Sequence, residues 1–65
     1  MLTLINDEKE HENIFINTNQ ISIIKKQKRG ELYEVYYISG DGTALHHICT
    51  DKESIERIIK EHNRQ

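Results

Sequence analysis

Residues 31–50 read ELYEVYYISGDGTALHHICT, and the organisation of the chain follows outward from them. Tyr33, Val35, Tyr36, Tyr37 and Ile38 are the β-branched and aromatic types that fit a pleated, half-buried surface. Gly40-Asp41-Gly42 then offers the positive φ angles of a tight reversal, and residues 44–49 form the returning strand. Side chains alternate across a strand, so Tyr33, Val35 and Tyr37 point one way and Leu32, Tyr36 and Ile38 the other. Both faces of this hairpin are therefore apolar, interrupted by Glu34.

A helix follows at once. Thr50 is the expected N-cap, Glu53 three residues later completes a capping box, and Asp51 and Glu53 sit in the positive first turn. Ile55, Ile58, Ile59 and His62 recur at helical spacing as a single packing stripe, while Glu53 with Arg57 and Glu56 with Lys60 are placed as outward ion pairs. One stripe covers one sheet face. We expect it to take the face of Tyr33, Val35 and Tyr37 with Ile21, Ile23, Leu45 and Cys49. That would leave Leu32, Tyr36, Ile38, Ile24 and Ile48 exposed as a protein interface.

Upstream, residues 1–5 read as a first strand, and residues 6–13, NDEKEHEN, as a solvated loop with no apolar member. Ile14, Phe15 and Ile16 resume an extended segment that ends at Asn17-Thr18-Asn19, side chains that favour turns. Ile21, Ile23 and Ile24 start another strand, which runs into a basic turn at residues 26–30. The expected fold is a single α+β domain spanning residues 1–65. It is an antiparallel meander of four to five short strands with one C-terminal helix packed on one face.

Sixty-five residues, 35% of them apolar, leave room for one small core, and a chain of this size buries only about 60% of its unfolded surface. The single Cys49 can form no internal disulfide, which suits a reducing cytoplasm and leaves oligomerisation as a route to stability. We therefore expect a dimer or higher homo-oligomer in the cytoplasm. No run of 18 apolar residues and no secretory N-terminal pattern occur, so neither membrane insertion nor secretion is expected. A net charge of −2 gives no general attraction to nucleic acid. Eleven isoleucines with no proline or tryptophan suggest an AT-rich gene of a bacterium or its phage.

Chemistry-bearing residues are few. His46, His47 and Cys49 are metal-ligand types, but only His47 and Cys49 share a strand face, and two ligands do not close a site. Neither a metal nor a cofactor is expected. Cys49 has no evident oriented base, and the carboxylates fall in the loop or on the outward side of the helix, so we expect no enzyme. Lys25, Lys26, Lys28 and Arg29 cluster next to Tyr33, Tyr36 and Tyr37, a combination of cations and stacking groups that could hold nucleic acid. Tyr33, Tyr37, His46 or His47 and the same basic turn could instead line a nucleotide site between subunits.

The segments FINTNQISII and ICTDKESIERII, with the Gly-Asp-Gly turn between them, resemble the pattern of small flagellar proteins of the FlbD/SwrD type. The resemblance spans residues 15–59 and implies a small non-enzymatic bacterial protein acting by contact with others. The function expected is accordingly that of a protein-interaction module, a bacterial or phage regulator or inhibitor binding itself and a further protein. Nucleic-acid binding and nucleotide sequestration are the alternatives.

Overall fold

The computed structural model describes residues 2–64. Met1, expected to begin the first strand, lies outside the described residues. The elements are β1 (Leu2–Asp7), β2 (Glu12–Asn17), a one-turn 3₁₀ helix (Thr18–Gln20), β3 (Ile21–Lys26), β4 (Tyr33–Ile38), β5 (Leu45–Thr50) and α1 (Lys52–Asn63). They form the expected α+β architecture as two antiparallel sheets, β1–β2 and β3–β4–β5, with one C-terminal helix. The sheets meet where the Glu8 amide donates to the Cys49 carbonyl at 2.9 Å.

Half of the residues expected to form an open loop are strand. β1 continues to Asp7 and β2 starts at Glu12, directly across from it. The Asp7 carboxylate makes this possible by accepting from the Lys9 and Glu10 amides, satisfying donors that the reversal leaves unpaired. β1 also alternates against its hydropathy: Thr3, Ile5 and Asp7 are buried, and Leu2 and Leu4 face out.

Ile5, Ile16, Val35, Ile48, Ile55 and Ile58 make the core, with Ile14, Ile21, Tyr33 and Tyr37 packed against it. The face assigned to Val35, Tyr33 and Tyr37 is thus the covered one, but its partners differ from expectation. Val35 pairs with Ile48, and residues directly opposite in an antiparallel ladder share a face, so Ile48 is core and not interface. Leu45 and Cys49, expected inside, fall on the outer face with Ile38 and Glu34, the residues they pair with. A bulge between Ile21 and Ile23 does the same to β3. It keeps Ile21 across from Tyr37 but moves Ile23 opposite Tyr36 and Ile24 opposite Val35.

The helix starts one residue later than expected. Thr50 continues β5 opposite Tyr33 and is fully buried, and Asp51 takes the N-cap, its carboxylate accepting from the Ser54 amide at 2.9 Å. Burial pushes the Asp51 carboxyl up, but the bonds from Ser54 and the charge of Arg57 outweigh it and hold the group below its ordinary value.

The packed side of α1 is Ser54, Ile55 and Ile58, rotated from the expected stripe, so that Ile59 and His62 stay exposed. The rotation follows from what the helix bonds to. Arg57 turns back from solvent and its Nε donates to the Leu4 carbonyl at 3.0 Å, while the Ser54 hydroxyl accepts from the Asn6 amide. The helix thereby satisfies backbone groups on the side of β1 away from β2.

Candidate interaction surface

Three rows of side chains cross the outer face of the β3–β4–β5 sheet. Nearest the basic turn lie Lys25, Glu34 and Cys49; next come Ile23, Tyr36 and His47; nearest the glycine turn are Ile38 and Leu45. The face grades from charged to apolar along the strands. Ile23, Ile38 and Leu45 are 48%, 40% and 61% exposed.

The middle row is locked by its neighbours. The Tyr36 and His47 rings stack with centroids 4.7 Å apart at 25°, and Lys25 Nζ lies 5.8 Å from the Tyr36 centroid. His47 Nε2 lies 3.5 Å from Glu34 Oε1, an ion pair when the imidazole is protonated. These contacts fix rotamers on an exposed surface, so a partner docking here orders fewer side chains than on a flexible face.

Of the expected interface residues, Tyr36 and Ile38 lie on this face. Ile24 sits on the opposite side at the rim of the core, where it lines an apolar cleft of about 240 Å³ with Ile21, Ile58 and Ile59. Ile48 is core. Leu32 precedes β4 and is half-buried beside a polar cleft of about 580 Å³ between the basic turn and the start of α1. Leu45 and Ile23 are the residues missed for this face, and both were hidden by register. Counting the residues of the turn at 39–44 is the signal that would have placed Leu45.

The cation and stacking residues are divided by the sheet. Lys25 and Tyr36 share the outer face, whereas Tyr33 and Tyr37 pack against the core. Lys26 lies on the covered side with Tyr33 and donates from Nζ to the Gly30 carbonyl, and Lys28 and Arg29 are exposed in the turn. His46 and His47 point to opposite faces, the first beside Tyr37 at 5.4 Å and the second on Tyr36. Cys49 Sγ is 3.5 Å from the Gln27 side-chain amide. Among the described residues no three His, Cys, Asp or Glu side chains gather as metal ligands, and no helix is long and apolar enough to cross a membrane.

The turn joining β4 to β5 is built around a carboxylate. Asp41 Oδ1 accepts from the Ser39 hydroxyl at 2.7 Å, the Thr43 hydroxyl at 2.7 Å and the Thr43 amide at 3.1 Å. Those bonds, the Ser39 hydroxyl first, lower its pKa to about 2. Of its two glycines only Gly42, at φ 76°, takes the left-handed backbone that the sequence suggests for both. All three donors converge on one oxygen of the carboxylate, which shapes the turn.

Comparison of the chain with protein-family models, with curated proteins and with solved structures found no match.

Proposed function

We propose that the protein is a non-enzymatic interaction module, working as a homo-oligomer that binds and modulates a second protein in the manner of a small bacterial or phage regulator or inhibitor. The observation behind this reading is the group of exposed Ile23, Ile38 and Leu45 around half-buried Tyr36 on a pre-ordered sheet face with a charged end. Interface energy concentrates in aromatic and aliphatic anchors at the centre of such a patch, with charged groups at its rim. The FlbD/SwrD resemblance agrees with a role exercised by contact.

Nucleic-acid binding has less support. The Tyr36 ring is already stacked on His47 with Lys25 beside it, and the other two tyrosines pack against the core, which leaves less stacking surface to accompany the lysines. Nucleotide sequestration has less still, because Glu31, Asp51 and Glu53 outnumber Lys26 and Lys52 in the polar cleft beside the basic turn and leave it net acidic toward a phosphate.

The test is affinity capture from bacterial lysate with the wild type and with Leu45→Asp. A protein retained by the wild type and lost from a folded Leu45→Asp variant supports the proposal. A set of retained proteins that is the same for both removes this face from consideration.

A further inference from the structure

The two sheets have four edge strands: β1 bonds to α1, β5 accepts from Glu8, and β2 and β3 carry the charged edges. Among the described residues β2 pairs only with β1, and β3 only with β4. An open edge presents a row of backbone donors and acceptors, which natural sheets cover, charge or pair. The two edges here are charged with opposite sign. β3 ends in Lys25 and Lys26 and leads into Lys28 and Arg29, while β2 begins at Glu12, next to the hairpin residues Glu8 and Glu10.

We propose that β2 of one copy pairs antiparallel with β3 of a second copy, Glu12 lying opposite Lys26. The proposal rests on the homo-oligomer reading and names its contact. Antiparallel pairing runs the acidic start of β2 against the basic end of β3, and side chains select one register. With Glu12 opposite Lys26, Ile14 meets Ile24 on the core side of the sheets and Phe15 meets Ile23 on the outer side. Faces match only when the register moves by two residues, and either such move leaves one apolar pair in place of two and takes Glu12 away from Lys26; in the proposed register Asn17 falls opposite Ile21, beyond the bulge.

Phe15, 69% exposed, and Ile23, 48% exposed, would each cover the other. Antiparallel self-pairing lacks the ion pair: β3 on β3 sets Lys26 opposite Ile21, and β2 on β2 sets Glu12 opposite Asn17.

Position 19 lies midway between 12 and 26. One twofold axis at the 3₁₀ helix therefore serves both contacts, β2 on β3 and β3 on β2, in a closed dimer. Within one chain the same pairing is absent because the 3₁₀ helix turns β3 into the other sheet.

Glu12 and Lys26 are both exposed, so reversing them leaves the core alone. Sedimentation equilibrium over a concentration series should show a wild-type dimer. Glu12→Lys and Lys26→Glu should each weaken it by about tenfold, the scale expected when a partly exposed ion pair becomes a like-charge contact. The double variant Glu12→Lys/Lys26→Glu should restore association to within about threefold of wild type, which a merely damaged turn would not do. Self-association unchanged in both single variants, or not restored in the double, overturns the edge pairing and leaves a homo-oligomer built elsewhere. A wild type that stays monomeric throughout overturns the pairing and the homo-oligomer reading together.

Discussion

The Ser54 hydroxyl, wholly shielded from solvent, accepts a hydrogen bond from the Asn6 backbone amide at 3.0 Å. One side chain of α1 thus completes the backbone bonding of β1, 48 residues away in sequence, and receives a second donor from Arg57 Nη2 at 3.2 Å.

Ser54→Ala should therefore cost more than a small surface change. It leaves the Asn6 amide without its acceptor, a loss of roughly 1–3 kcal/mol, whereas Glu56→Ala on the exposed side should stay within about 0.5 kcal/mol. Urea denaturation of both variants makes the comparison. Equal midpoints would mean that water replaces Ser54 at no cost.

Thr50 is the opposite case. Its hydroxyl is buried with no hydrogen-bond partner among the described residues, as is that of Thr3, so each keeps the desolvation cost of a polar group without compensation. Thr50→Val preserves shape and β-branching and should raise stability by about 1 kcal/mol. A lower denaturation midpoint would show that the hydroxyl is bonded in solution.

The outline of the fold was legible where a local pattern has one solution. Val35 between two tyrosines, the glycine turn and the isoleucines of α1 gave strand, reversal and helix in the right order. The outer face was half legible, through Tyr36 and Ile38, because both lie on the strand whose alternation fixes them. Its remaining members depend on counts that composition does not reveal. The turn sets Ser39 opposite Ala44, so odd positions of β4 meet even positions of β5; Ile48 then goes inside, and Leu45 and Cys49 go outside. The bulge in β3 is invisible in ISIIKK, which has isoleucine on both sides of it. Asp51 displaced Thr50 as the cap because both residues can cap, and only the length of β5 decides between them.

The turn carboxylate carries a pH signature. Asp41 ionises near pH 2 in the folded hairpin, below its ordinary 3.8, so its bonds to Ser39 and Thr43 are fully present above pH 4. Between about pH 4 and 2 the unfolded chain takes up the proton first, and the contribution is lost as pH falls. Following the Asp41 carboxyl carbon by NMR should give a midpoint near 2 in the wild type and nearer the ordinary value in Ser39→Ala. Coincident curves for the two proteins would show that the Ser39 hydroxyl does not hold the carboxylate.

The division between the two faces of β4 and β5 yields the broadest test. Ile48 is 7% exposed in the core, while Ile38 is 40% exposed on the outer face, so one substitution should have opposite consequences at the two positions. Ile48→Ala removes buried methyl groups beside Val35, Ile55 and Ile58 and should cost about 2–5 kcal/mol. In a small domain that is a large share of the total stability, and a variant partly unfolded at 37 °C would be an expected result. Ile38→Ala should change the denaturation midpoint little and instead weaken capture of a partner protein. Tyr36→Ala falls between them: it forfeits the His47 stack, roughly 0.5–1.5 kcal/mol, and should also lose the partner. Thermal melts by circular dichroism order the three variants by stability, and affinity capture orders them by binding. A destabilised Ile38→Ala beside an unaffected Ile48→Ala would mean that the core lies on the opposite face of the β3–β4–β5 sheet.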